Sequence, residues 1–289
     1  MSEEYAQMVT DGNRLPGFDD RELVVDGARL RYAVGGQGPG LVLVHGLGGT
    51  IENWRALAPA LAPSFRVLVP DLPGHGRSAA LPAAAHLDVF ADAVFAMADA
   101  EGIADAIWIG HSLGGTVSLR AAARRPDAVR GVMLAAAAGI GSATRLGRVT
   151  VTLMGLLEPG KAIAPFRHAW ASSRLGRRLA FGWWGVGDAD ALEPELAEAF
   201  LVGPAHHTKT RQAGRALLAT DFPGESDRIT CPCLVLWGAR DKWVMLDDGM
   251  EYARRLGAPL RTIAGCGHLL IGERPEVLLR AIEDFAASL

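Results

Sequence analysis

Short apolar runs alternate with amphipathic stretches along most of this chain. Glu22–Asp26 and Arg29–Val34, rich in Leu, Val and Tyr and joined across Asp26-Gly27, predict an antiparallel hairpin, because Asp-Gly accepts the positive φ that a two-residue turn demands. Leu41–Val44 is wholly apolar and predicts a central strand. Residues 50–61 follow as a predicted helix with Trp54, Leu57 and Leu61 on one face, and Arg66–Pro70 is the next strand. His86–Ala100 reads as an amphipathic helix, Ile107–Ile109 as a strand, Leu113–Arg124 as a helix stopped by Arg125-Pro126, and Gly131–Ala136 as a further strand. Cys233–Trp237 and Leu260–Ile263 bring the count to eight strands. Strand–helix units of this length predict a mostly parallel sheet covered on both faces, a three-layer α/β/α sandwich.

The rhythm breaks between residues 139 and 225, where no strand pattern is found and Phe166, Trp170, Phe181, Trp183, Trp184 and Phe200 are set in helical or irregular stretches. The expected organisation is therefore a core in two parts, 1–138 and 226–289, with a helical insertion at 139–225. Most of these rings are expected to fill the insertion's own small core. Trp183 and Trp184 differ: adjacent rings flanked by Gly182 and Gly185 do not easily face one core together, so they are candidates to line a substrate pocket.

Three polar groups follow predicted strands. Gly110-His111-Ser112-Leu113-Gly114 comes directly after Ile107–Ile109, Gly238-Ala239-Arg240-Asp241 after Cys233–Trp237, and Gly265-Cys266-Gly267-His268 after Leu260–Ile263. In an open parallel sheet the strand ends share one edge, where ligands bind. G-x-S-x-G between strand and helix is a nucleophile elbow, and serine, then acid, then histidine is the chain order that goes with it. A serine hydroxyl is a poor nucleophile at neutral pH and needs a base that takes its proton. His268 can accept that proton and later return it to a leaving group, while Asp241 holds the imidazole in one tautomer. Asp247 and Asp248 are the rival carboxylates; they are expected instead to cap a helix from Gly249 to Leu256.

Other chemistry is poorly served. Net charge is −3 with no basic cluster, which argues against a nucleic-acid surface. Cys231, Cys233 and Cys266 have no zinc or redox spacing and suit a reducing, cytoplasmic compartment. The acidic start lacks the features of a signal peptide, and no apolar run is long enough to span a bilayer. No dinucleotide or P-loop glycine spacing occurs, His206-His207 would point apart on a helix, and no metal-ligating pattern is present, so neither metal nor cofactor is implied. A small-molecule substrate is expected, with the chain a monomer or homodimer and no membrane or nucleic-acid partner.

Two further segments, Leu41–Val44 running into His45-Gly46-Leu47-Gly48-Gly49, and Asp71-Leu72-Pro73-Gly74-His75-Gly76-Arg77-Ser78, complete five ordered blocks. Together with the elbow, Gly238–Asp241 and Gly267-His268, they resemble the α/β-hydrolase superfamily, in its lid-bearing esterase, haloperoxidase-like and carbon–carbon hydrolase branch. The resemblance spans nearly the whole chain. It implies the α/β-hydrolase fold, with 139–225 as a lid over the C-terminal edge of the sheet, and an oxyanion hole made by the N–H groups of Leu47 and Leu113. His45 and His75 are expected to brace loops, and His111 to be packed or hydrogen-bonded. Relatives that displace halide or open epoxides use aspartate at the elbow; Ser112 instead implies acyl transfer to water through a covalent acyl-enzyme. The expected substrate is a small or medium, mostly apolar carboxylic ester or related carbonyl compound. Carbon–carbon hydrolysis of a diketone or ring-cleavage product shares these residues, as do perhydrolysis, acyl transfer and lyase chemistry, and a non-catalytic binding role is the remaining alternative.

Overall fold

A computed structural model describes residues 15–81, 86–140, 164–182, 185–206, 210–219 and 226–289. The expected hairpin opens the sheet: β1 (Asp19–Val25) pairs with β2 (Ala28–Gly35) around Asp26-Gly27, both with positive φ, 48° and 77°. β3 (Gly40–Val44), β4 (Arg66–Pro70), β5 (Ala106–His111), β6 (Val129–Ala135), β7 (Cys233–Gly238) and β8 (Leu260–Ile263) complete eight strands in the order β1-β2-β4-β3-β5-β6-β7-β8. Every pairing from β4 to β8 is parallel, and β2 joins β4 antiparallel. Alternation of apolar and polar positions is absent from the centre because Leu41–Val44 and Ile107–Ile109 are buried on both faces.

Helices α1 (Leu87–Ala100) and α2 (Leu113–Arg124) lie side by side, with Arg120 on Asp88 and Arg124 on Asp92 across their seam. Right-handed crossovers between strands advancing in one direction put both on the same face. Between β6 and β7 the described α-helices are α3 (Arg167–Ser172), α4 (Arg174–Phe181), α5 (Pro194–His206) and α6 (Thr210–Leu218). Ala171, Ala180, Phe181, Val186, Leu192, Ala197 and Leu201 form a second, smaller apolar cluster there, and Leu269 from the main fold joins it. α7 (Leu246–Leu256) follows β7, and α8 (Pro275–Ala287) ends the chain with Phe285 over Gly131 of β6.

Two local expectations fail. Residues 50–61 form a 3-10 turn, Ile51–Trp54, and a separate helical turn, Ala58–Leu61, because Thr50 and Asn53 cap each other and Pro59 has no N–H to bond a carbonyl one turn back. Trp54, Leu57 and Leu61 are nevertheless all buried. Asp247 and Asp248 are no caps: α7 begins at Leu246, so both sit inside its first turn, where their charge suits the helix dipole.

Candidate active site

β5 ends at His111 and the chain turns at Ser112, whose φ of 52° and ψ of −118° lie where L residues rarely go. The turn is held by backbone bonds: the Ser112 N–H donates to the Ala135 carbonyl at 3.0 Å, and the Ser112 carbonyl accepts from Gly115 at 3.0 Å and Ala138 at 3.1 Å. Glycine is required around it. A Cβ on Gly110 would lie 2.2 Å from the Gly114 oxygen, and one on Gly114 would lie 2.2 Å from the Val44 oxygen.

Ser112, Asp241 and His268 come together although 156 positions separate the serine from the histidine. His268 Nε2 is 3.1 Å from Ser112 Oγ, and its Nδ1 is 2.8 Å from Asp241 Oδ2. All three are buried, with 7%, 7% and 3% exposure for Ser112, Asp241 and His268. Asp241 Oδ1 accepts from the N–H groups of Trp243 and Val244 at 2.8 and 2.9 Å. The loops that carry acid and histidine touch backbone to backbone: Arg240 N–H donates to the Cys266 carbonyl, and a Cβ on Gly238 would lie 2.1 Å from the Gly267 oxygen. Such a chain of hydrogen bonds can move the serine proton onto an imidazole and stabilise the cation that results.

The loop after β3 borders the serine. A Cβ on Gly46 would stand 3.0 Å from Ser112 Cβ, which puts the Gly46-Leu47 backbone beside the hydroxyl. Leu113 opens α2, so its N–H has no carbonyl one turn back to bond. Three residues brace this loop. His45 Nδ1 donates to the Gly46 carbonyl while Nε2 accepts from Leu72, and Asp71, fully buried, accepts from the N–H groups of Ile51 and Arg77 and from Arg31. Ser78 Oγ donates to the Asp71 carbonyl at 2.6 Å. Burial, with a smaller push from His45, lowers the pKa of His75 to about 3, so the ring packed beside His45 is neutral.

His111 points beside the serine and reaches the histidine loop, its Nε2 lying 2.9 Å from the His268 carbonyl. Burial, then the neighbouring His268, lowers its pKa to about 3. It is neutral, and because only a carbonyl faces Nε2, that nitrogen carries the proton.

Residues 39–275 match the family model described as alpha/beta hydrolase fold. The chain belongs to the alpha/beta hydrolase fold family. This family member is 38% identical over 288 residues to a 2-hydroxymuconate semialdehyde hydrolase of Pseudomonas sp. (strain CF600), across 92% of this chain and 93% of that protein. It is also 42% identical over 142 residues to the dihydrolipoyllysine-residue acetyltransferase component of the acetoin cleaving system of Pseudomonas putida; that match takes in 48% of this chain and 38% of the other, so the chain spans little more than a third of that relative's length. Among solved structures, the enol-lactonase from Burkholderia xenovorans LB400 superposes with a TM-score of 0.70 at 26% identity, covering 92% of this chain and 100% of that one.

Trp183 and Trp184 lie outside the described residues, as does His207. Among the described residues no group of three or more His, Cys, Asp or Glu could hold a metal ion, and no helix is long and apolar enough to cross a membrane. In the insertion, Arg177 is buried on the carbonyls of Ala171 and Ala189, while Arg178 pairs with Asp190 at the surface. The sequence pattern misses the Trp243 and Val244 amides and Glu273, whose carboxylate reaches the backbone of Gly267, next to the histidine.

Proposed function

We propose that this chain is a serine hydrolase that cleaves a small or medium, mostly apolar carboxylic ester or related carbonyl substrate. The observation that carries this reading is the hydrogen-bonded line from Ser112 Oγ through His268 to Asp241, on an elbow with positive φ. Ser112 Oγ attacks the carbonyl carbon as its proton passes to His268 Nε2. The oxygen of the tetrahedral intermediate is held by the N–H groups of Leu47 and Leu113. Collapse breaks the bond to the leaving group, which takes the proton from His268, and Ser112 is left acylated. Water then attacks the acyl-enzyme, gives a proton to His268, and the acid departs as that proton returns to Ser112 Oγ.

The insertion at 139–225 is assigned the role of a lid, and Trp183 and Trp184 are the residues whose replacement is expected to change which acyl or aryl group is accepted. The substrate is a small molecule, and three unpaired thiols suit a reducing, cytoplasmic setting. A second reading is favoured by the 38% identity to a 2-hydroxymuconate semialdehyde hydrolase over nearly the full length: water-assisted cleavage of a carbon–carbon bond beside a ketone, by the same three residues.

The test is a fluorophosphonate probe at neutral pH, followed by a panel of 4-nitrophenyl esters, lactones and a ring-cleavage dienone. Rapid labelling of wild type, none of S112A, and little of H268A is expected, with turnover of esters or lactones. Turnover of the dienone alone would move the assignment to the second reading. Absence of labelling in wild type, or normal turnover by S112A, would overturn both.

A further inference from the structure

The loop that carries His268 is gripped from the side of the insertion. Glu273, 3% exposed, ends the helical turn Leu270–Glu273 five residues after the histidine. Its Oε2 accepts the Gly187 N–H at 2.8 Å, and its Oε1 accepts the Gly267 N–H at 2.9 Å, with Oε2 also 3.1 Å from that same amide. Beside it, the Leu269 N–H donates to the Gly185 carbonyl at 2.9 Å. The two backbones leave no room for side chains between them: a Cβ on Gly187 would lie 2.4 Å from the Gly265 oxygen, and one on Gly267 would lie 2.5 Å from the Gly187 nitrogen. Val186 and Leu269 share one apolar cluster, so the contact is packed as well as hydrogen-bonded.

On the other side of the histidine, its carbonyl accepts from His111. The residue 268 backbone is therefore tied on one flank to the elbow and, through Gly267 and Glu273, to the insertion. Burial raises the pKa of Glu273, and the amides of Gly187, Gly267 and Asp188 oppose that rise, as hydrogen bonds to a charged carboxylate do.

We propose that Glu273 is a positioning residue that locks segment 185–188 of the insertion to the His268 loop, so that His268 stands against Ser112 only while that segment is seated. This rests on Ser112 and His268 being the catalytic pair. A carboxylate is needed because both of its oxygens accept. A glutamine has one acceptor oxygen and a donating amide, so it must turn N–H against N–H at Gly187 or at Gly267.

The experiment uses the full chain as wild type, E273Q and Gly187→Ala, with 4-nitrophenyl acetate as probe and hydrogen–deuterium exchange as a readout independent of turnover. E273Q is expected to lower kcat about tenfold or more with KM within about twofold, since a small displacement of the base is felt in the chemical step. Exchange should quicken together in 185–188 and 265–269 and stay unchanged in β5. G187A should reproduce both effects with Glu273 intact, by wedging the segments apart. Should E273Q fail to fold, G187A and wild-type exchange decide: the Gly187 and Gly267 amides are expected to open at a common rate. Wild-type kcat in folded E273Q, or loosening of one segment without the other, overturns the proposal. If wild type neither cleaves the ester nor takes the fluorophosphonate, the hydrolase reading has failed, and the linked exchange still tests the lock.

Discussion

Asp241 holds His268 with one oxygen and its own loop with the other. Oδ2 meets His268 Nδ1 at 2.8 Å, while Oδ1 accepts the N–H groups of Trp243 and Val244. The second set of bonds fixes the direction of the first. With Oδ1 occupied by two backbone donors, the carboxylate cannot rotate without leaving buried amides unpaired, so Oδ2 is always presented to the imidazole.

Asp241→Asn tests this division. The asparagine oxygen stays on the two amides, and its NH2 then faces Nδ1 of His268. Two donors cannot share that contact, so the imidazole must put its proton on Nε2, where it can no longer receive the Ser112 proton. The expected outcome is a folded protein whose kcat/KM is lower by about 10³- to 10⁴-fold, measured by steady-state ester hydrolysis alongside near-UV circular dichroism. A loss of less than about tenfold would mean that the carboxylate does not set the tautomer.

Much of this architecture is legible in the chain, for local reasons. Asp26-Gly27 writes the hairpin turn, Arg125-Pro126 ends α2 at Arg124, and each of Ser112, Asp241 and His268 follows a short strand, wholly buried before the serine and the acid and largely exposed at the sheet edge before the histidine. β1 starts earlier than the pattern indicates, at Asp19, because an exposed edge strand can extend its ladder with polar residues. At 50–61 the apolar spacing suggests one helix, but Pro59, a visible helix breaker, divides it. Glu273 is hidden for a different reason: its partners are backbone amides of Gly187 and Gly267, and backbone donors leave no residue-type signature in sequence.

His111 should contribute through its hydrogen bond and not through proton transfer. His111→Ala leaves the His268 carbonyl without its donor, which costs about 1–3 kcal/mol of stability when the acceptor is buried. His111→Gln can offer an N–H in nearly the same place and should recover part of the loss. Since His111 has its pKa lowered to about 3, the shape of the pH–rate profile from about pH 5 to 9 should be the same in wild type and H111Q, with only its height changed. A changed shape would assign His111 a role in proton transfer.

Glu52 predicts a pH dependence of stability. It is 1% exposed, Oε1 has no hydrogen-bond partner among the described residues, and Oε2 is 3.5 Å from Arg55; burial raises its pKa to about 7, with Asp71 adding to the rise and Arg55, Arg31 and Arg77 opposing it. A carboxyl raised in the folded state binds its proton more tightly there than in the unfolded chain. Its contribution is thus fully present below the unfolded pKa, falls as pH rises and is lost above about 7. From about pH 4.5 to 8 wild type should lose up to about 3 kcal/mol relative to Glu52→Gln, read from urea unfolding of both proteins at several pH values. Parallel stability curves would show that Glu52 ionises at no unusual cost.

The strain at Ser112 should be measurable apart from its chemistry. A non-glycine residue at φ 52° and ψ −118° costs on the order of 1–3 kcal/mol, and the neighbouring backbone bonds hold it there. Ser112→Ala and Ser112→Gly both remove the hydroxyl and should both be inactive. Only glycine relieves the strain, and its greater freedom in the unfolded chain, worth about 0.5–1 kcal/mol, returns part of the gain. S112G should therefore unfold later than S112A by about 1–2 kcal/mol, roughly 2–4 °C per kcal/mol in a chain near this size, in calorimetry under matched conditions. If the two variants melt together, the turn is not a store of strain, and holding the hydroxyl at the elbow costs the fold nothing.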